Sequence, residues 1–217
     1  MQPTHDRFDP RRRRLFAGGA SVVLSSLLAK PVLGATPYNC TVSGQLSGNT
    51  SSHGADQVCS SVGKSPDYWI TNLGDWPAAY APGVMPQAGT CSGDATATLF
   101  KSVTVQGLSF ADAYNYNCTT GALVEPAPSG TSPLTLLQVL ALDTVGNPAV
   151  GSPAAILGST TVATLLSAAK IGTDFPLAAV DVIDMFNHVY LGGSYQVKTG
   201  VYWGASDVIS YFKSLYG

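Results

Sequence analysis

Beyond residue 14 this 217-residue chain contains no arginine, and beyond residue 35 it has one glutamate, Glu125, and two histidines, His53 and His188. Charged residues make up only 11% of the whole. Each scarcity removes a class of function. Without arginine there is no bidentate clamp for phosphate or carboxylate substrates. With two histidines, any Ser-His-Asp or Cys-His arrangement would have to use one of them, and His53 sits in a Ser-Ser-His-Gly loop. The sequence also lacks a Gly-x-Ser-x-Gly elbow, a His-Glu-x-x-His helix, a Cys-x-x-Cys-His haem site, a phosphate-cradling glycine loop and a dinucleotide fingerprint. No cofactor is expected.

The front of the chain is better marked. Arg11, Arg12, Arg13 and Arg14 precede Leu15 and Phe16, and a mildly apolar run, diluted by Gly18, Gly19 and several serines, follows to Ala29. Lys30 and Pro31 come next, and Leu33-Gly34-Ala35 offers small residues to a signal peptidase. Arg13-Arg14-Leu15-Phe16 matches an Arg-Arg-x-Phe core, and the stretch resembles a bacterial twin-arginine export signal. The resemblance implies a protein of the periplasm or cell exterior. The apolar run is shorter than the roughly 20 residues of a bilayer span, so no stable membrane span is expected after signal removal. Residues 1–35 are thus expected to be the signal, and 36–217 a single globular domain.

Removing that signal shifts the electrostatics. Five lysines then stand against 11 acids, for a formal charge of −6. Such a surface disfavours nucleic acid and anionic lipid. The expected partner is a protein or carbohydrate at the cell surface. Four cysteines, Cys40, Cys59, Cys91 and Cys118, all lie in the first part of the mature chain. An even count in an exported protein reads as two disulfides. Three pairings remain open, and Cys40–Cys59 with Cys91–Cys118 closes the shortest loops. A metal site at these cysteines is disfavoured, because no Cys-x-x-Cys spacing occurs and only His53 is near.

Residues 65–77, Ser-Pro-Asp-Tyr-Trp-Ile-Thr-Asn-Leu-Gly-Asp-Trp-Pro, pack three aromatics into a polar region. Tyr68, Trp69 and Trp76 are candidates either for covering the core or for contacting a ligand by stacking. The segment is similar to the Gly-Tyr-Trp-Lys-Asn-His…Trp-Pro signature of a group of uncharacterised secreted bacterial proteins. In that group an Ala-x-Leu-Leu-Asn-Ala helix and a Tyr-Pro-Leu-x-x-x-x-Val-Ile helix follow. Here Ala163-Thr164-Leu165-Leu166-Ser167-Ala168 and Phe175-Pro176-Leu177, with Val182-Ile183, stand in the same order. Asp67, Ile70, Leu73 and Ser167 replace the signature's Gly, Lys, His and Asn. The resemblance implies architecture and location rather than an activity.

Hydrophobic periodicity is strongest over residues 160–187, which predict a helical hairpin. Val162, Leu165, Leu166 and Ala169 recur at helical spacing, with Thr160, Thr164 and Lys170 expected on the other face. Gly172 is the expected C-cap, Asp174 the next N-cap, and Pro176 a first-turn residue. Leu177, Val180, Ile183, Phe186 and Tyr190 form the second helix's apolar stripe. The same pattern predicts a helix over 133–142 capped by Ser132, and another over 206–216 opened by Ser206 and Asp207. It also predicts a short helix from Ser109 to Tyr114, a linker over 121–132, and a β-hairpin or loop over 195–203. The fold class expected is mainly α, a bundle-like C-terminal half (133–217) with an irregular, disulfide-tied N-terminal half (36–132) and few short strands.

One constellation has chemical geometry. Asp181, Asp184 and His188 share a helix face, and with Asp174 they could hold a divalent metal. The alternative is a solvated face with a local Asp–His pair. The leading expectation is an exported binding or scaffold module without catalysis. Alternatives are a metal-assisted hydrolase using Asp181, Asp184 and His188, and a structural component of a surface assembly.

Overall fold

The computed structural model describes residues 63–85, 96–117, 123–124 and 131–216. Residues 1–35, expected to be an export signal, lie outside the described residues, as do His53, Glu125 and all four cysteines. What is described is mainly helical, with a few short strands.

Helix α1 (Pro66–Thr71) opens with Ser65, whose Oγ accepts the Tyr68 N–H at 3.4 Å, and with Pro66 at its first position. A missing N–H costs nothing there. After a 3-10 turn over Phe100–Ser102 come β1 (Thr104–Val105) and β2 (Leu108–Ser109), an antiparallel pair. The central strand β3 (Asn115–Asn117) then pairs with both β4 (Leu123–Val124) and β5 (Thr131–Pro133). The expected helix at 109–114 is therefore absent, and the expected linker at 121–132 contains two strands. Phe110, Ala113 and Tyr114 are all buried, and their i, i+3, i+4 spacing is the pattern of a helical stripe. Here the segment instead bridges β2 and β3, with the Ser109 carbonyl and the Ala111 N–H bonded to Asn187 rather than within a helix.

Helix α2 (Leu136–Leu140) is capped by Thr135 rather than Ser132. Thr135 Oγ1 accepts the Gln138 N–H at 3.2 Å, and Gln138 Oε1 accepts the Thr135 N–H at 2.9 Å, a reciprocal capping box. Ser132 is in β5 instead, across from Tyr116.

Helix α3 (Pro153–Ile171) is the axis of the molecule. Ser152 caps it and Pro153 begins it, well before residue 160. Its window of 18 residues has a mean hydropathy of 1.4, long and apolar enough to cross a membrane, but 72% of that window is buried inside the fold. α1, α2, α4 (Ala179–Val189) and α5 (Ala205–Ser214) all pack on it. Being enclosed, it has no solvent face. Thr160 and Thr164, expected outside, are buried. Their hydroxyls return to the backbone: Thr160 Oγ1 donates to Ile156 O and Thr164 Oγ1 to Thr160 O, each at 2.8 Å.

The α3–α4 hairpin is present with a longer join than expected. Gly172 is the C-cap of α3, with φ +71°, a conformation that suits glycine. Asp174 is not a helix cap, and Pro176 is not helical. The residue before a proline is pushed to extended backbone, and Phe175 duly has φ −83° and ψ 141°. Phe175 and Leu177 are both buried, and α4 starts only at Ala179, where Asp181 Oδ2 accepts the Ala178 N–H at 3.1 Å.

An aromatic cluster joins α4 to the irregular segment. Phe100 stacks on Phe110 with ring centroids 4.1 Å apart, and Phe186 meets both edge-on at 5.2 and 5.3 Å. Asn187 fixes the same segment to α4, its Oδ1 accepting the Ala111 N–H and its Nδ2 donating to Ser109 O, both at 2.8 Å. After α4 a Cβ on Gly193 would collide with the His188 carbonyl oxygen, so the chain turns there on a residue without one. It then forms the hairpin of β6 (Tyr195–Lys198) and β7 (Val201–Trp203) and ends in α5.

Candidate functional site

Helix α4 presents Asp181, Asp184 and His188 along its exposed side. His188 Nδ1 lies 3.2 Å from Asp184 Oδ1 and 2.8 Å from Asp184 O. A ring nitrogen within reach of two acceptors is best satisfied carrying the proton, so this nitrogen is not a free ligand. Asp181 uses Oδ2 to cap its own helix. Asp174 is exposed in the 3-10 turn Gly172–Asp174. Among the described residues no three His, Cys, Asp or Glu side chains are grouped to hold a metal ion. The structure brings Asp184 and His188 together and does not assemble the four.

Beside this strip stands the β6–β7 hairpin. Tyr195 pairs directly with Trp203 across the ladder, so both rings face the same side. His188 meets the Tyr195 ring edge-on, with centroids 5.6 Å apart. Tyr202, on the opposite face, is 58% exposed. Between β7 and α5 lies an open cleft of about 200 Å³ lined by Trp203, Asp207, Ser210 and Tyr211. The last three fall at i, i+3 and i+4, one stripe of the helix. Trp203 and Tyr211 have ring centroids 5.2 Å apart, with planes tilted by 54°. Asp207 Oδ2 accepts the Gly204 N–H at 2.9 Å, which caps α5 two residues earlier than a Ser206 cap would.

The phenols on this side are held above their ordinary value. For Tyr195 the causes are burial, then the negative charges of Asp184 and Asp181. For Tyr211 they are burial, then Asp181 and Tyr195. The α4 and α5 sides therefore share one negative field. The sequence contains Trp203, Asp207, Ser210 and Tyr211 in plain view, and a hairpin followed by a helix was legible. Which face of β7 meets the helix was not, because a two-residue alternation does not say where the neighbouring helix will pack.

The Tyr68–Trp76 segment corrects an expectation. Trp69 and Trp76 are 1% and 7% exposed, so neither is a ligand platform. Trp69 packs against α3 with its Nε1 donating to Ser167 Oγ at 3.4 Å. Trp76 Nε1 donates to Trp69 O at 2.9 Å. Two large apolar rings next to a helix buried all round gain more from covering it than from standing in water. Only Tyr68 remains half-exposed, and it too is engaged. Its hydroxyl donates to Asp75 Oδ2, and that hydrogen bond raises the phenol's pKa. Lys64 Nζ sits 5.2 Å above its ring.

The disulfides expected at Cys40, Cys59, Cys91 and Cys118 lie outside the described residues. Comparisons with protein-family models, with curated proteins and with solved structures give no match.

Proposed function

We propose that this chain is an exported, non-catalytic binding module of the periplasm or cell surface, whose contact surface is the β6–β7 hairpin and the cleft beside it. Its partner is a protein or a carbohydrate. The observation that carries the reading is the aromatic content of that edge: Tyr202 turns outward while Trp203 and Tyr211 wall an open cleft. Aromatic rings with one polar end are favoured where a surface must bind and still be soluble. The similarity of residues 11–35 to a twin-arginine signal supports export. In an oxidising compartment, two disulfides among the four cysteines would tie down the N-terminal half. The hydrolase reading draws no support from Asp181, Asp184 and His188 as they are placed.

The test uses the mature, oxidised protein in two assays. Retention on cell-envelope polysaccharide and protein fractions is measured for the parent, Tyr202→Ala and Trp203→Ala. Tyr202→Ala is expected to weaken retention without lowering the melting temperature. Thermal unfolding in chelator and then in a panel of divalent metals is expected to be flat. A ligand at 100 times its Kd would stabilise by about 2.7 kcal/mol, so a metal-induced shift abolished by Asp184→Ala would replace this reading with the hydrolase. Retention indifferent to both aromatic variants would refute it outright.

A further inference from the structure

The cleft between β7 and α5 has a chemical bias that narrows what it can hold. Ser210 Oγ donates its proton to Ser206 O at 2.8 Å, so towards a ligand the hydroxyl offers lone pairs. Asp207 uses Oδ2 to accept the Gly204 N–H. This cap steadies the carboxylate and leaves Oδ1 as a second acceptor. A group bound between Asp207 and Ser210 must therefore donate.

The local charge points the same way. Asp207 is exposed at the rim, and the field of Asp181 reaches Tyr211. The half-unit of positive charge at the N-terminus of α5 is smaller than the full charge of Asp207. Two lysines stand on these elements. Lys213, exposed, is about 240° around α5 from Asp207 but only three residues from Ser210, so it flanks the Ser210 side and leaves the Asp207 side of the cleft to the carboxylate. Lys198 lies at the turn end of the hairpin, while Trp203 is at the other end, paired with Tyr195. The cleft wall is Trp203, the side chain whose ring face attracts cations best.

From these features we infer that the cleft binds an organic cation, a primary ammonium or guanidinium group. Its N–H donors meet Asp207 and Ser210, and its charge lies against Trp203. The inference rests on the binding-module reading and names the chemistry of that site. The same group is supplied by a free amine or by a lysine or arginine side chain of a protein partner. A neutral sugar also donates hydrogen bonds to the carboxylate, but it lacks the positive charge that meets Asp207 and the indole face together, so the cation is expected to bind more tightly.

The experiment is calorimetric titration of the mature, oxidised protein with Nα-acetyl-lysine amide, its Nε-acetylated neutral counterpart, a lysine-containing peptide and N-acetylglucosamine. The amine is expected to bind and the acetylated form not to. Asp207→Asn keeps an oxygen for the Gly204 cap while removing the charge, and it is expected to weaken amine binding about tenfold or more, the scale of a charge-assisted hydrogen bond. Ser210→Ala, at an exposed position, provides a second variant that leaves the core alone. Equal binding of the free and small amine forms, peptide included, indicates a small-molecule source. Tight binding of the peptide alone indicates a protein partner, and either result supports the inference. Binding of the acetylated form or the sugar as tightly as the amine, or amine binding unchanged in both variants, overturns it. In that case the binding-module reading still stands if Tyr202→Ala or Trp203→Ala reduces retention on envelope fractions, and falls if neither does.

Discussion

Replacing Ser167 by alanine should cost more than its small volume suggests. Ser167 is fully buried on α3, and its hydroxyl has all three of its hydrogen-bonding capacities in use. It donates to Ala163 O at 2.8 Å and accepts the Lys64 N–H at 3.0 Å and the Trp69 indole N–H at 3.4 Å. Ala163 O would lose nothing essential in Ser167→Ala, because it keeps its helical partner. The two donors are different. An orphaned buried donor costs about 1–3 kcal/mol. The bond to Trp69 is long, and Lys64 is an exposed residue that water can reach, so both belong at the low end, together about 2 kcal/mol. Alanine's better helix propensity returns about 0.5 kcal/mol. The net loss of about 1.5 kcal/mol corresponds to a fall in Tm of about 3–6 °C for a chain of this size. Guanidinium unfolding followed by tryptophan fluorescence reads it directly, since Trp69 is one of only three tryptophans. The control is Thr160→Val on the same helix. Thr160 is also buried, but its hydroxyl acts as a donor to Ile156 O and Leu157 O, so its removal orphans no buried N–H among the described residues. That variant should fall within about 0.5 kcal/mol of the parent. If Ser167→Ala is no more destabilising than Thr160→Val, the claim that Ser167 holds the N-terminal segment to the core is refuted.

Gly158→Ala sets two effects against each other: helix propensity favours alanine by about 1 kcal/mol, whereas the new Cβ would come within 2.8 Å of Tyr114 Cζ and 2.9 Å of Val139 Cγ1. Overpacking costs about 1–3 kcal/mol, and Tyr114 is held by its hydroxyl donating to Ala154 O at 2.7 Å, so net destabilisation is expected; a rise in the denaturation midpoint would show that the site can relax. Alkaline stability follows from the buried phenols. Tyr211 and Tyr216 are both raised well above the ordinary value, mainly by burial, so the unfolded chain releases these protons at a lower pH than the folded one. Their contribution is complete below about pH 10 and is lost as pH rises through the folded values. The unfolding free energy should therefore fall as pH rises above about 10, with part of the phenolate absorbance appearing only on unfolding, and a flat profile would contradict the burial.

How much of this was legible in the sequence depended on whether a residue's role is set locally. The two helices of the α3–α4 hairpin, the β6–β7 hairpin and the final helix were readable, because each carries its own periodicity and Gly172 and Gly192-Gly193 punctuate them. The caps were less so. Ser132, Asp174 and Ser206 all have suitable side chains, but the structure starts its helices from Thr135, Ala178 and Gly204. In the last two an aspartate three residues into the helix reaches back to the first N–H. A capping box can be recognised from its inner member as well as its outer one, and Asp181 and Asp207 carried that signal. The start of α3 was missed because Pro153 to Ser159 is mostly small residues, whose burial follows from close approach of neighbours such as Tyr114 rather than from their own hydrophobicity.

Of the two readings of Trp69 and Trp76, burial supports covering the core and removes ligand stacking, for a tertiary reason. A tryptophan in a polar segment reads as exposed only if the surface it could cover is unknown. Here that surface is α3, buried on every side from Leu157 to Ala168, and α1 with Trp69 packs on it beside α2, α4 and α5. The similarity to the secreted bacterial signature joined the Tyr-Trp segment to the Ala-x-Leu-Leu helix by order alone, whereas the structure puts them in contact, Trp69 on Ser167. At the position where that signature has asparagine, serine's short side chain reaches both Trp69 and the Lys64 backbone. The polar and aromatic side chains left for binding are then those of the hairpin and α5, at the other end of the described sequence.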